Sequence, residues 1–126
     1  MLSAAPAAAT IAVHDIDTAR KFYGETLGLK ISRDMAPDAF LCEAGGGSMI
    51  LVYRRPDHQP SAATIASFQV GDTRTMVREL QSRGVEFEDY DQPGLKTENH
   101  IASMPGGSKA AWFTDPDGNI IALGEM

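Results

Sequence analysis

The sequence predicts an α+β fold, in which one domain is built from two modules that each follow the order β-α-β-β-β. The modules cover about residues 8–55 and 63–126 of the 126-residue chain. One observation behind this prediction is that the signals for strand, helix start and helix end recur in the same order in both halves. The other is Asp-Pro-Asp-Gly-Asn at residues 115–119, which lies between two apolar runs. Its proline, glycine and side-chain acceptors are typical of a tight turn, so it predicts a closing β-hairpin.

The recurring signals mark the two ends of one helix in each half. Asp15 and Asp72 lie 57 positions apart, and each follows a valine by two residues. An aspartate can cap the N-terminus of a helix, because its carboxylate accepts hydrogen bonds from the first free N–H groups. Gly28 and Gly84 lie 56 positions apart and suit the C-terminal ends, where positive φ is common. We therefore predict one helix between the first aspartate and glycine and another between the second pair.

Short apolar or alternating runs predict the strands. They are residues 9–13, 29–33, 39–43 and 49–53 in the first module, and 65–70, 85–89, 110–114 and 120–124 in the second. Residues 54–62 contain two prolines and form the predicted connector. Residues 91–108, with Pro-Gly and Gly-Gly pairs, are predicted to be the longest irregular segment. Because loops of this length are often functional, we expect it to form the rim or lid of a binding site.

Composition argues against two classes of partner. The net charge is −6 and the 11 basic residues are scattered, so the chain lacks the clustered positive charge that nucleic acids require. No apolar run approaches the ~18 residues of a membrane helix, and the alanine-rich start lacks the basic segment of a signal peptide. We therefore expect a cytoplasmic protein that binds neither nucleic acid nor a membrane. Cys42 is the only cysteine and is predicted to be a small buried residue in a strand.

Two motifs carry a resemblance to a known family. The first helix reads Phe22-Tyr23 followed by Leu27-Gly28, and the C-terminal hairpin carries Asp-Pro-Asp-Gly-Asn. Together with the two modules, these motifs resemble the vicinal oxygen chelate superfamily, the glyoxalase, bleomycin-resistance and extradiol-dioxygenase group, over nearly the whole chain. The resemblance implies a curved mixed sheet around a cavity that binds a small molecule. It also implies a homodimer, since small members commonly pair and often build their cavities across the subunit boundary.

The metal ligands of that superfamily are missing from this sequence. Its metal-dependent members bring a His or Gln on each first strand and Glu on later strands, and these residues hold a divalent ion that polarises the substrate. The resemblance places the corresponding positions at Ala8, Leu51, Ile65 and Ala122. None of these side chains binds a metal, and the three histidines do not share the spacing of a preformed site. We therefore expect no metal and no cofactor.

Alternation along the strands predicts which side chains face the cavity. Residues an even number of positions from a missing ligand position in the same strand should line the cavity. Ile11, Val13 and Phe68 lie on the opposite face and should pack under the helices. Trp112 could stack on a planar ligand, although it could also anchor a core or a dimer interface. His100 lies in the segment that we expect at the rim. The predicted ligand-binding residues are Thr10, Met49, Leu51, Tyr53, Ser67, Gln69, His100 and Trp112.

Three functional hypotheses remain open from the sequence. The first, which we favour, is a metal-free protein that sequesters an aromatic or antibiotic-like compound, because the cavity residues are mostly apolar with a few hydroxyl and amide groups. The second is a lyase, isomerase or dioxygenase of the same superfamily with an unrecognised site, including a metal-free enzyme that uses His100 or Tyr53 as a general acid or base. The third is a structural or regulatory partner whose cavity is vestigial.

Overall fold

The computed structural model describes residues 1–125, and the chain divides into two compact units with the boundary between Gln59 and Pro60. Over the described residues, each unit combines a mixed sheet with a helix that follows its first strand. The predicted α+β class is confirmed, and each unit begins with the predicted strand and helix and continues with further strands. Among residues 1–125, no helix has the length and apolar character needed to cross a membrane.

Residues 1–59, the first unit, contain four strands and a helix that continues into a π-helical turn. The elements are β1 (Ala8–Val13), α1 (Ile16–Arg20), the π-helical turn (Lys21–Thr26), β2 (Lys30–Met35), β3 (Ala39–Glu43) and β4 (Met49–Arg54), with short 3-10 turns at Leu2–Ala4 and Gly45–Gly47. The strand order is β1-β4-β3-β2, and β1 runs parallel to β4 while the other neighbours are antiparallel. All four strands predicted for this module are present, and each strand end lies within two residues of its predicted position.

The helix of the first unit begins and ends as predicted. The Asp15 carboxylate accepts hydrogen bonds from the N–H groups of Thr18 and Asp17, at 3.1 and 3.0 Å. These bonds, chiefly the one from Thr18, hold the pKa of Asp15 below its usual range. Gly28 has a φ of 74°, a conformation that a residue with a Cβ adopts only at a cost. Both ends are therefore set by contacts that are local in the sequence.

One face of the first sheet is packed under this helix. Ile11 and Val13 on β1 and Phe40 and Cys42 on β3 are fully buried, as is Tyr23 from the π-helical turn. Burial raises the pKa of the Cys42 thiol to about 11, so the thiol stays protonated and behaves as a small apolar side chain. The predicted burial of Cys42 and of the two β1 residues is confirmed.

Within residues 60–125, the second unit contains six strands and an α-helix. The elements are β5 (Thr64–Gln69), α2 (Thr73–Ser82), β6 (Asp91–Gln92), β7 (Leu95–Glu98), β8 (Ile101–Ser103), β9 (Lys109–Thr114) and β10 (Ile120–Gly124). The strand order is β5-β10-β9-β8-β7-β6, with β5 parallel to β10 and the other neighbours antiparallel. The strands β5, β9 and β10 correspond to those predicted at residues 65–70, 110–114 and 120–124, whereas β6, β7 and β8 were not predicted.

The helix α2 covers one face of this second sheet by packing on β9. Its N-terminus is capped by Asp72, whose carboxylate accepts a hydrogen bond from the Thr75 N–H at 3.1 Å, and Gly84 follows its C-terminus with a φ of 89°. Val77 on α2 and Phe113 on β9 are both buried. The predicted helix ends are therefore confirmed in the second unit as well.

The prediction that residues 91–108 form a long irregular segment is wrong. These residues contain β6, β7 and β8, and the last two are joined by Asn99 and His100, with φ of 52° and 72°. Positive φ at both central residues is the geometry of a two-residue β-hairpin loop. The hairpin was not predicted because the usual Asn-Gly or Asp-Gly signal is absent, and because these edge strands carry exposed polar side chains.

The strand predicted at residues 85–89 is also wrong. In that segment Phe87 forms an isolated β-bridge opposite Phe113, and the Glu88 N–H donates to the Trp112 carbonyl at 2.8 Å. This segment lies along the same edge of β9 as β8, next to Phe113, whereas β8 pairs with Lys109 and Ala110. Its backbone is therefore paired, but over too few residues to form a regular strand.

The predicted C-terminal hairpin is confirmed, and its turn is held by one carboxylate. Asp115 Oδ1 accepts hydrogen bonds from the N–H groups of Asp117 and Asn119, at 3.0 and 2.9 Å, and Asp115 Oδ2 accepts one from Asn119 Nδ2 at 2.8 Å. Asp115 and Asn119 are only 4% and 1% exposed. Gly118 has a φ of 87°. The polar residues of this motif therefore satisfy one another inside the fold.

A second carboxylate, from the end of the chain, caps α2 from outside the helix. Glu125 Oε2 accepts a hydrogen bond from the Thr73 N–H at 2.9 Å, and Oε1 accepts one from the Lys109 N–H at 3.2 Å. The bond from Thr73 contributes most to holding the pKa of Glu125 below its usual range, the bond from Lys109 adds to it, and burial opposes both. Glu125 thus links the first turn of α2 to the start of β9.

A Glu125→Gln variant is expected to unfold at a lower temperature than the unchanged protein at neutral pH. Because the folded-state pKa of Glu125 is depressed, its carboxylate stabilises the fold above the pKa of a glutamate in an unfolded chain, about 4.3, and this contribution is lost as pH falls through the folded-state pKa. The difference in Tm should therefore shrink in acid. Thermal unfolding over a pH series measures it, with the exposed Glu86→Gln as control; a difference that does not vary with pH would contradict the assignment.

Candidate functional site

Four of the predicted ligand-binding residues lie together on one face of the first sheet. Thr10 pairs with Leu51 across β1 and β4, and Met49 and Tyr53 flank Leu51 on the same side of β4. Because these side chains alternate with the buried ones, they point to the face that the helix does not cover. We call this surface, defined by Thr10, Met49, Leu51 and Tyr53, the open face of the first sheet.

Leu41 belongs to the same open face and was missed by the sequence analysis. It pairs with Leu51 across β3 and β4, and it is half-buried between the fully buried Phe40 and Cys42. Alternation of side chains along β3 indicates that the Leu41 side chain points away from the core. Only the register between β3 and β4 places Leu41 beside Leu51. Two leucines therefore form the centre of this surface.

The chemistry of this open face is mostly apolar, with polar groups at its edges. Met49 and Leu51 are half-buried, and the exposed Thr10 offers a hydroxyl. At the end of β4, Arg55 lies close to Tyr53: its Nε donates to Asp57 Oδ1 at 2.8 Å, and the Asp57 carboxylate, followed by the Tyr53 hydroxyl, raises the pKa of Arg55. Such a surface can hold an apolar or planar molecule by contact and orient it with a few hydrogen bonds.

In the second sheet, three predicted positions form a row across neighbouring strands. Ser67 on β5 pairs with Ala122 on β10, and Ala122 pairs with Trp112 on β9. Gln69 follows Ser67 on the same side of β5 and pairs with Gly124. The side chains of this row alternate with the buried ones, so they point away from α2. We call the surface defined by Ser67, Gln69, Trp112 and Ala122 the open face of the second sheet.

Trp112 is held on this open face by a second aromatic residue. The rings of Tyr90 and Trp112 meet edge to face, with centroids 5.3 Å apart and planes at 88°, a favourable geometry for aromatic pairs. Burial, followed by the negative charge of Glu88, raises the pKa of Tyr90, so its hydroxyl is neutral and able to donate. The sequence analysis did not propose Tyr90, because a separation of 22 positions carries no signal that the two rings are in contact.

His100 lies apart from the other predicted residues of its unit. It occupies the loop between β7 and β8, where its Nδ1 is 3.0 Å from Asp89 Oδ1. Its ring packs on Phe87, with centroids 6.1 Å apart, and Phe87 in turn packs on the buried Phe113. Because Phe113 and Trp112 are neighbours on β9, they point to opposite faces of the sheet. The structure therefore brings His100 to the side covered by α2, away from Trp112.

The positions where the resemblance places metal ligands do not fit a metal ion. Ala8, Leu51 and Ala122 lie in strands and Ile65 lies where a bulge interrupts the pairing of β5 with β10, but all four side chains are hydrocarbon. Metal ions in proteins are held by nitrogen, oxygen or sulfur donors. Moreover, within residues 1–125 no group of three or more His, Cys, Asp or Glu side chains is placed to hold an ion. Both open faces thus offer contact, stacking and hydrogen bonding rather than coordination.

Comparison with known proteins connects this architecture to one family. The protein-family model of the Glyoxalase/Bleomycin resistance protein/Dioxygenase superfamily matches residues 6–123. A search of curated proteins finds no match.

Solved structures resemble the chain over nearly its full length. A member of the glyoxalase/bleomycin resistance protein/dioxygenase superfamily from Sphaerobacter thermophilus is 27% identical, with 100% of each chain covered and a TM-score of 0.77. A bleomycin-binding protein complexed with bleomycin is 22% identical, with 95% of this chain and 97% of that chain covered and a TM-score of 0.72. A lactoylglutathione lyase from Agrobacterium tumefaciens is also 22% identical, with 97% and 93% covered and a TM-score of 0.69.

Proposed function

Because the chain belongs to the glyoxalase, bleomycin resistance protein and dioxygenase superfamily, we propose that it is a metal-independent binding protein that sequesters an aromatic or antibiotic-like compound. The observation that carries the proposal is the hydrocarbon side chain at each position where the resemblance places a metal ligand. A reaction that depends on a polarising cation has no donors at those positions. Sequestration requires only shape, stacking and a few hydrogen bonds.

The two open faces supply these requirements. On the first, Leu41 and Leu51 form an apolar centre with the Thr10 hydroxyl beside it. On the second, the half-buried indole of Trp112, supported by Tyr90, provides a flat surface for a planar ligand. Apolar surface with a small number of polar groups is the usual composition of a small-molecule site.

The fold alone does not choose between binding and catalysis, because both a bleomycin-binding protein and a lyase share it. The donor chemistry of this chain favours binding. The part of the chain that the structure describes, residues 1–125, offers no substitute cluster of metal ligands. The single cysteine is buried with a raised pKa, so it is not an accessible nucleophile.

The proposal is tested by measuring binding and turnover on the same sample. Thermal shift against a panel of bleomycin-type and planar aromatic compounds should reveal a stabilising ligand, and calorimetry should then give a stoichiometry. Mass spectrometry should recover that ligand unchanged after prolonged incubation. A chemically altered ligand, or a stoichiometric divalent metal in protein purified without chelators, would refute metal-independent sequestration.

A further inference from the structure

A polar groove lies in the second unit, on the side of the sheet that α2 covers. Its volume is about 380 Å³, within the range of small-molecule sites. One wall is formed by α2 and the other by the loop between β7 and β8. Its principal lining residues are Arg74, Val77, Arg78, Gln81, Asn99 and His100. The groove is separate from the open face that carries Trp112, because α2 and Trp112 lie on opposite sides of the sheet.

The helix wall presents two arginines over an apolar base. Arg74, Val77, Arg78 and Gln81 follow the spacing of a single helical stripe, so their side chains project toward the same side of α2. Val77 is buried, whereas both arginines are exposed. Within residues 1–125 neither guanidinium takes part in a hydrogen bond or an ion pair. Ten N–H bonds in planar forks are therefore available beside the groove.

The loop wall adds two polar side chains, those of His100 and Asn99, at a defined position. The Asp89 carboxylate lies 3.0 Å from His100 Nδ1, which orients the ring and leaves Nε2 as the nitrogen directed away from that carboxylate. The ring also packs on Phe87, with centroids 6.1 Å apart and planes at 34°. Asn99, beside it in the two-residue loop, adds a side-chain amide. The hairpin that the sequence analysis did not anticipate is what carries these two groups to α2.

The charge of the groove contrasts with that of the chain. The protein as a whole carries a net charge of −6, yet among the described residues that line this groove two are arginines and one, Glu98, is acidic, with the Asp89 carboxylate lying against His100. Planar guanidinium groups bind oxyanions through paired, charge-assisted hydrogen bonds. From this cluster we infer that the groove between α2 and the β7–β8 loop is a second binding site, for a small organic molecule that carries a phosphate group.

Phosphate fits this arrangement better than a carboxylate does. A phosphate has three free oxygens on a tetrahedral centre, and two guanidinium groups and the Asn99 side-chain amide can approach them from different directions, while His100 Nε2 can accept a hydrogen bond from a phosphate hydroxyl. A carboxylate has two oxygens in one plane and would accept paired hydrogen bonds from only one guanidinium group. The apolar base formed by Val77 and Ile101 offers a place for the carbon part of the molecule. The inference is independent of the proposed function, since none of these residues belongs to the open faces.

The test is an NMR titration of the full chain with inorganic phosphate at neutral pH and constant ionic strength. Backbone amide shifts are expected to concentrate in α2 and at residues 98–101. Arg74→Gln and Arg78→Gln should each weaken phosphate binding about tenfold, the size expected when a charge-assisted hydrogen bond is lost. Arg83→Gln is the matched control: it removes one positive charge just beyond α2, where Arg83 is paired with Glu79, and should change the affinity less than about twofold.

Two further measurements complete the test. His100→Asn keeps a side chain that tolerates positive φ while removing the imidazole, so it should weaken binding without unfolding the hairpin. Acetate, a monocarboxylate, should bind more weakly than phosphate. Shifts spread evenly over all basic residues, an equal loss in the Arg83 variant, or tighter binding of acetate would each overturn the inference, whereas the search for an aromatic ligand would be unaffected.

Discussion

An Asp115→Ala variant is expected to lose about 3 kcal/mol or more of unfolding free energy, because three hydrogen bonds to a buried carboxylate disappear together. The substitution removes the carboxylate that accepts from the Asn119 backbone N–H and side-chain amide, at a site that is almost fully buried. A buried donor that loses its partner costs more than the bond itself contributes. Urea-induced unfolding, followed by circular dichroism, measures the loss.

Two companion variants separate this effect from a change in net charge. Asp115→Asn retains one acceptor oxygen but replaces the other with an amide that would face the Asn119 amide, so its loss should be smaller than that of the alanine variant. Asp91→Ala removes the same charge from an exposed position at the start of β6 and should change stability by less than about 0.5 kcal/mol. Equal losses in the Asp115→Ala and Asp91→Ala variants would show that the turn network does not stabilise the hairpin.

Adjacent substitutions on β9 are expected to separate stability from ligand binding. Phe113 is fully buried on the side covered by α2, so Phe113→Ala should cost about 3–5 kcal/mol of unfolding free energy through lost burial and the cavity left behind. Trp112 is half-buried on the open face, so Trp112→Ala should cost only about 1–2 kcal/mol. Yet the Trp112 variant should bind a planar ligand at least about tenfold more weakly.

Chemical unfolding and calorimetry on the two variants give the comparison. Each variant acts as the control for the other, since both remove one aromatic ring from the same strand. If Trp112→Ala destabilised the protein as much as Phe113→Ala and left ligand affinity unchanged, Trp112 would be a core residue and the open face of the second sheet would not contribute to binding.

The parts of the fold that the sequence predicted correctly depend on neighbours within a few positions. Asp15 and Asp72 cap helices that begin at the next residue, and Gly28 supplies positive φ where the first helix ends. These signals act through local backbone geometry. Strand parity is local too, and it placed Thr10 and Leu51 on the face opposite the buried Ile11. Whether these residues bind a ligand stays a prediction.

The parts that the sequence did not predict depend on pairing between distant residues. The short strands β7 and β8 form at a sheet edge, where polar side chains hide the alternation that marks buried strands. His100 was expected at a rim with the other ligand residues. The hairpin instead carries it to Phe87 and Asp89 on the helix side, where no pattern in the chain indicates its neighbours.

By itself, the sequence determined the α+β class, the two module repeats, the helix caps, the turn at residues 115–119 and the hydrocarbon at the expected metal positions. Each of these follows from residue chemistry or from period-two and helical spacing. Only the tertiary structure decided that Tyr90 supports Trp112, that Glu125 caps α2 and that two arginines share a groove with His100. These contacts join residues far apart in the chain, and strand register and helix packing, which the sequence pattern leaves open, bring them together.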